Sequence, residues 1–401
     1  MYKPDLEILK KYADLLVNFA LNHGKGVKSG QTISLQIPES AKDFLIPLQE
    51  AILKAECYPI IRYVPEGGVM RNFYENANEN QLKYHPKNYM KALVKDADHL
   101  IGIIAEQDLF ELKGIDTSKI MTRNKALKFY IDERKKKEEA GKQSRTLAMY
   151  GTPAMAKEAN LSLEEYWQEI IKACYLNENN PAKKWQEIID DIGRIKNILD
   201  DMNIEKIKME GEDVDLEIKI GADRKWRSGS GANIPSFEIF TSPDWRGTNG
   251  RIKFTQPFYR NGDVIEGMEL EFKNGIVTKS RAKKNEKLFK NMLAVKNADR
   301  LGEFSMTDKR FSKISKFMAD TLFDENFGGE FGNNHIAIGR SFFSECYKGD
   351  FDGFTKKDWD KLGFNDSVIH SDLVITSNRT ITATLQDGNK KIIYKNGEFM
   401  V

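Results

Sequence analysis

Three short runs, residues 32–37, 58–64 and 99–105, constrain the fold of this chain more than any other feature, because each is built for a strand and helical stretches separate them. Thr32-Ile33-Ser34-Leu35-Gln36-Ile37 alternates apolar and polar residues with the period of two of a half-buried strand. Tyr58-Pro59-Ile60-Ile61-Arg62-Tyr63-Val64 and His99-Leu100-Ile101-Gly102-Ile103-Ile104-Ala105 are predominantly apolar. Before them, residues 5–22 place Leu6, Leu9, Leu16, Phe19 and Ala20 at helical spacing, and Gly24 and Gly26 supply the stop. A second helix is predicted near residues 41–55. Strand alternating with helix argues for an α/β layer with a mostly parallel sheet. The pattern continues with a strand ending in a turn over residues 147–153. Ser162-Leu163-Glu164-Glu165 is a capping box that opens a helix carrying Tyr166, Trp167, Ile170, Ile171 and Cys174, and a further helix is predicted over residues 181–202.

Beyond about residue 205 the pattern changes. Short strands and turns follow one another: Val214-Asp215-Leu216-Glu217-Ile218-Lys219-Ile220, then Gly229-Ser230-Gly231, then a strand over residues 234–241. Asn249-Gly250, Asn261-Gly262, Asn274-Gly275, Asp387-Gly388 and Asn396-Gly397 mark tight turns. A chain of 401 residues exceeds one ordinary core. The expectation is an α/β protein: an N-terminal α/β domain over 1–205 and a C-terminal α+β domain over 206–401. A net charge of +2, from 62 basic and 60 acidic side chains, gives no field suited to nucleic acid. No run approaches the ~18 apolar residues of a membrane span. The start, Met1-Tyr2-Lys3-Pro4-Asp5, lacks the apolar core of a secretion signal, so a cytoplasmic protein is expected. Cys57, Cys174 and Cys346 stand far apart, as inert thiols do, and Lys135-Lys136-Lys137-Glu138-Glu139 reads as a solvated helix face.

The chemistry concentrates in the second half, which holds two of the five histidines. His370 and Asp372 are two residues apart among Val368, Ile369, Leu373, Val374 and Ile375. On a strand they share a face, and one imidazole beside one hard oxygen is half of a divalent-metal site. Glu238 lies between apolar neighbours in Ser236-Phe237-Glu238-Ile239-Phe240, and Glu303 follows a helix-like stretch in Leu301-Gly302-Glu303. An acidic, glycine-rich loop from Asp324 to Gly332 leads to His335, without the regular acidic spacing of a calcium loop. Taken singly, each glutamate reads as a solvent-facing residue and each histidine as a hydrogen-bonded core imidazole. The set together points to a metal-dependent hydrolase, with the metal ligands in the C-terminal half.

The same segments resemble the thermophilic-type aminopeptidases, peptidase family M29. The likeness rests on Ile234-Pro235 with Glu238-Ile239-Phe240-Thr241, Leu301-Gly302-Glu303, Asp324-Glu325-Asn326, His335-Ile336-Ala337-Ile338-Gly339 and His370-Ser371-Asp372. In the first half, Tyr150-Gly151-Thr152-Pro153-Ala154-Met155-Ala156 and Leu163-Glu164-Glu165-Tyr166 add to it. The resemblance implies two divalent ions per chain (zinc, cobalt or manganese) held by Glu238, Glu303, His335, His370 and Asp372. It also implies one further glutamate before the first histidine. The Asp-Glu-Asn triplet selects Glu325 for that place, whereas counting back a fixed distance reaches Glu330. Relatives carry a tyrosine seven residues after that histidine; here the position is Phe342, and Tyr347 is the nearest phenol downstream.

Glu303 is the first candidate for accepting and passing on a proton, and Asp324 or Glu330 for pairing with a substrate amine. A metalloaminopeptidase (EC 3.4.11) acting on peptides with a free N-terminus is therefore expected. The resemblance implies a homodimer, with the first domain closing the active-site chamber. Two other readings stand beside it. One is a non-catalytic peptide-binding protein retaining the fold, for which Phe342 speaks. The other is a mononuclear iron(II) oxygenase, whose second histidine would normally come later, although none follows residue 370.

Overall fold

The computed structural model describes residues 2–401, which fall into two compact units. The first comprises residues 2–186 with Ser230–Ser236 and Asn261–Asp263; the second comprises Glu187–Gly229, Phe237–Arg260 and Val264–Val401.

The first unit is built on the parallel sheet that strand–helix alternation predicts. Its strands lie in the order Tyr58–Val64, Thr32–Pro38, His99–Ile104, Ser144–Met149 and Asn233–Ile234, and every pairing is parallel. Ile33, Leu35 and Ile37 are fully buried, as their alternation requires. The helix Leu6–Leu15 buries Leu9, Tyr12, Ala13 and Leu15, and Lys42–Lys54 buries Phe44, Leu48 and Ile52. The Tyr12 and Phe44 rings stack between them with centroids 5.2 Å apart. The capping box forms as predicted: Ser162 Oγ accepts from Glu165 N, and Glu165 accepts from Ser162 N, at the start of Leu163–Ala173. One member of the lysine run departs from the solvated-face reading. Lys137 Nζ donates to the carbonyls of Val94, Lys95 and Ala97 at 2.8, 2.9 and 2.8 Å, which closes the C-terminal end of the helix Lys87–Asp96.

The second unit contains two large antiparallel sheets. The larger has eight strands, with Ile204–Gly211 beside Arg379–Leu385 at its middle. The smaller runs His370–Ile375, Asn333–Gly339, Leu301–Thr307, Glu238–Thr241, Arg227–Ser228. Its two central long strands, Leu301–Thr307 and Asn333–Gly339, are buried at every residue. The single strand read over residues 234–241 is in fact two pieces. Asn233–Ile234 belongs to the parallel sheet and Glu238–Thr241 to the small antiparallel one. Pro235 accounts for the break, since it has no N–H to continue a ladder. All three cysteines are free and buried, and burial pushes the Cys174 and Cys346 thiols up to about 12, which keeps them unreactive. Among the described residues no helix is long and apolar enough to cross a membrane.

His99, buried in the parallel sheet, has a testable consequence. Its Nδ1 is bonded to Ser144 Oγ at 2.8 Å, and its Nε2 is buried without a partner. Burial lowers its pKa, and Lys137 lowers it further against the opposing pull of Asp98. The unfolded chain therefore takes up a proton below about pH 6.5 that the folded protein refuses, so stability falls as the pH falls through that value. His99→Gln removes this term. Urea unfolding at pH 7.5 and 5.5 should show a smaller acid loss for the variant than for the parent; equal losses would refute it.

Candidate metal centre

Register on the small antiparallel sheet decides which side chains meet. Asp372 pairs with Ala337 and Ala337 with Glu303; His335 pairs with Ser305, and Thr307 with Glu238. Directly paired residues point to the same face, and residues two apart along a strand do so too. Glu238, Glu303, His335, His370 and Asp372 consequently project from one face. The opposite face carries Phe304, Ile336, Ile338 and Leu373, all buried. Glu303 sits on a strand and not at a helix end. A bulge between Leu301 and Glu303 sets its phase, and Gly302 occupies the bulge because a Cβ there would lie 2.4 Å from the Arg340 carbonyl oxygen.

Two groupings of potential ligand atoms result, each with all atoms within 4.8 Å of one another: Glu238, Glu303 and His335, and Glu303, His370 and Asp372. Glu303 belongs to both. Its Oε1 lies 3.6 Å from His335 Nε2, and its Oε2 lies 3.0 Å from His370 Nε2. His335 Nε2 is 3.3 Å from Glu238 Oε2 and 4.0 Å from Asp372 Oδ1. Each imidazole is turned by a bond at its other nitrogen. His335 Nδ1 donates to the Glu325 carbonyl at 3.3 Å, and His370 Nδ1 to the Arg340 carbonyl at 2.7 Å, which leaves both Nε2 atoms facing the carboxylates. Ser305 Oγ donates to Glu238 Oε2 at 3.1 Å. Asn334, beside His335, accepts from the buried Arg379 guanidinium of the larger sheet and donates to the Ser305 carbonyl at 2.9 Å.

Electrostatics in the cluster follow from burial and crowding. Burial, reinforced by Glu303 and Asp372 against the pull of His335, raises Glu238 to about 7. Glu303 is lowered, because the two histidines outweigh the effect of burial, and His370 with His335 brings Asp372 down to about 2 against burial. Burial alone would depress both histidines, yet the surrounding carboxylates raise His335 to about 9 and His370 well above its ordinary value. Glu325 is buried, and burial together with Asp372, Glu238 and Glu303 raises it strongly, which puts its carboxyl in the same field. Glu330, the other reading of that position, is exposed. A divalent cation suits this donor set: hard oxygens with two imidazoles and no thiolate. Asp372 Oδ1 is buried and accepts no hydrogen bond of good geometry although His370 Nε2 lies 3.2 Å away, as an oxygen placed for a cation would be.

Three residues were not singled out from sequence. Ser305 holds Glu238, and its place two residues after Glu303 on a strand was the available signal. Asn334 and Arg379 tie the His335 strand to the second sheet, and no local pattern marks Arg379. No phenol stands where the family's tyrosine would. The Phe342 ring meets His370 edge-on with centroids 5.1 Å apart, and Tyr347 packs with Phe354, Trp359 and Phe364 in a separate aromatic cluster.

Known proteins resemble this chain along nearly its whole length. Aminopeptidase PepS of Streptococcus thermophilus is 28% identical over 421 residues, covering 98% of this chain and 98% of that protein. Aminopeptidase AmpS of Bacillus subtilis is 26% identical, with 98% of each chain covered. The solved structure of wild-type AmpT from Thermus thermophilus superposes with a TM-score of 0.84 at 21% identity, over 98% of this chain and 99% of that one, and so shares the fold. Residues 6–399 match the family described as Thermophilic metalloprotease (M29), and the chain belongs to that family of metallopeptidases.

Proposed function

We propose that this protein is an aminopeptidase that removes N-terminal residues from peptides with two divalent ions at the Glu238–Glu303–His335–His370–Asp372 cluster. The observation that carries the reading is the double membership of Glu303, one carboxylate within reach of both ligand groupings. Glu238 and His335 would hold one ion and His370 and Asp372 the other, with Glu303 shared and Glu325 completing the set. Zinc, cobalt and manganese fit the oxygen and imidazole donors. When bound, such a pair polarises the scissile carbonyl and makes hydroxide available near neutral pH.

The chain's own groups do the rest. Glu325 and Arg340 fix the two imidazoles through their carbonyls, so neither ring has to reorganise during a turnover. Ser305 holds one Glu238 oxygen in place. Glu303, central to the cluster, would accept the proton that leaves the attacking water on an oxygen not committed to an ion, and would deliver it to the departing amine. Phe342 packs its ring against His370, and in this reading transition-state stabilisation does not involve a phenol. A cytoplasmic location and a homodimer belong to the same proposal, the homodimer resting on the family resemblance.

Turnover of leucine p-nitroanilide should vanish with a chelator and return with zinc or cobalt. Glu303→Gln should lower kcat/KM by about 100-fold or more, with reduced metal content. Full turnover by that variant at the parent's metal content would contradict its role. A chelator-resistant activity would contradict the reading as a whole.

A further inference from the structure

We propose that Arg379 is a positioning residue for the Glu238–His335 half of the metal centre, acting through Asn334 and Tyr394 from the sheet behind it. The proposal rests on the two-ion reading above and names a group that sets the affinity of one of the two ions.

Arg379 opens the strand Arg379–Leu385 of the larger sheet and is 2% exposed. Among the described residues no carboxylate pairs with its guanidinium. A buried charge without a counter-ion is costly, and an apolar side chain of similar length would fill the same space without that cost. What the charge supplies in return is a set of directed hydrogen bonds. Nε donates to Asn334 Oδ1, Nη1 to the Ser377 carbonyl at 2.5 Å, and Nη2 to the Tyr394 hydroxyl at 3.5 Å. The Ser377 bond is local, two residues back along the chain. The other two lead to the small sheet.

Both arms end on the strand Leu301–Thr307. With Asn334 Oδ1 taken by the guanidinium, the amide is held so that Nδ2 donates to the Ser305 carbonyl at 2.9 Å. The Tyr394 hydroxyl accepts from Arg379 and donates its own proton to the Thr307 carbonyl at 2.7 Å. A Cβ at Gly332 would collide with that hydroxyl, so the fold keeps a place for it. Ser305 and Thr307 are also the residues that seat Glu238. Thr307 is its ladder partner, and Ser305 Oγ donates to Glu238 Oε2 at 3.1 Å. His335 follows Asn334 in the chain and pairs with Ser305. Glu238 and His335 therefore share a seat that one guanidinium holds from behind. His370 and Asp372 lie on the edge strand His370–Ile375, which none of these side-chain bonds reaches.

Groups that orient metal ligands set how tightly the metal is held, and losing one costs about 10–100-fold in affinity. Without the guanidinium, the buried Asn334 oxygen loses its donor and the amide is released to turn. The Ser305 carbonyl then loses a fixed partner, and the hydroxyl on Glu238 is held less firmly. The ion at Glu238 and His335 should loosen while the ion at His370 and Asp372 does not.

Zinc titration of the full chain against a competing chelator, followed by NMR through the ring signals of His335 and His370, reads each ion at its own histidine. Arg379→Met should weaken zinc at His335 about tenfold or more and leave zinc at His370 within about twofold of the parent. Arg379→Lys, which keeps the charge and one donor group, should recover part of the loss. Tyr394→Phe removes one arm only and should show a smaller loss of the same selectivity, which keeps the proposal refutable if Arg379→Met does not fold. Ile207→Ala opens a cavity in the neighbouring strand, four ladder rows from Arg379, and should lower the Tm while both zinc affinities stay at the parent's values. Parent affinity at His335 in Arg379→Met, equal losses at both histidines, or the same selective loss in Ile207→Ala would overturn the assignment. Before any zinc is added, the His335 signal of Arg379→Met should already be displaced from the parent's, and the His370 signal should not. Failure of the parent to bind zinc at both histidines would instead overturn the two-ion reading, and an undisplaced His335 signal in the metal-free variant would still overturn this one.

Discussion

Several carboxylates and two imidazoles are gathered on one face of a small buried sheet, and that concentration of like charge is the constraint on which the second unit depends. Glu238, Glu303, Glu325 and Asp372 would repel one another strongly in a low-dielectric setting, where removing each charge from water costs several kcal/mol. The ion pairs found for Glu303 and Asp372 are made with histidines. Burial and the neighbouring carboxylates raise Glu238 and Glu325, and the carboxylates raise both histidines against burial, so that without a cation the cluster favours keeping protons. A bound metal ion would replace those protons with fixed positive charge. The cluster is thus better suited to a metal than to its own protonated state.

Geometry of that quality needs a stiff support. Four strands contribute the five side chains, and the ladder leaves each little freedom to turn. The backs of the same strands carry the buried Phe304, Ile336, Ile338 and Leu373, so a one-residue slip would turn the charges into that apolar layer and the apolar side chains into the cluster. Gly302 sets the phase of Glu303, and Arg379 secures Asn334 from the other sheet. Phe342 supplies an apolar wall beside His370.

Much of this could be read from the chain, and the parts that could not share a cause. His370 and Asp372 are two apart in a branched apolar run, a local pattern that a period of two converts directly into a shared face. The parallel sheet of the first unit was equally plain, because each of its main strands is flanked by helical spacing. Glu303 was harder: its neighbours Leu288, Met292 and Leu293 gave a helical frame, and only the pairing with Ala337 shows that a strand carries it. Residues 234–241 look like one strand by composition, yet Pro235 divides them between two sheets. Glu325 and Glu330 differ only in how the loop closes, which spacing does not report.

The most direct test is anomalous scattering from crystals of the zinc-loaded protein, measured on both sides of the zinc edge. Two peaks per chain, one beside Glu238 and His335 and one beside His370 and Asp372, with the Glu303 carboxylate between them, are predicted. A single peak that leaves one of the two histidines without a metal, or zinc bound away from Glu303, would contradict the account.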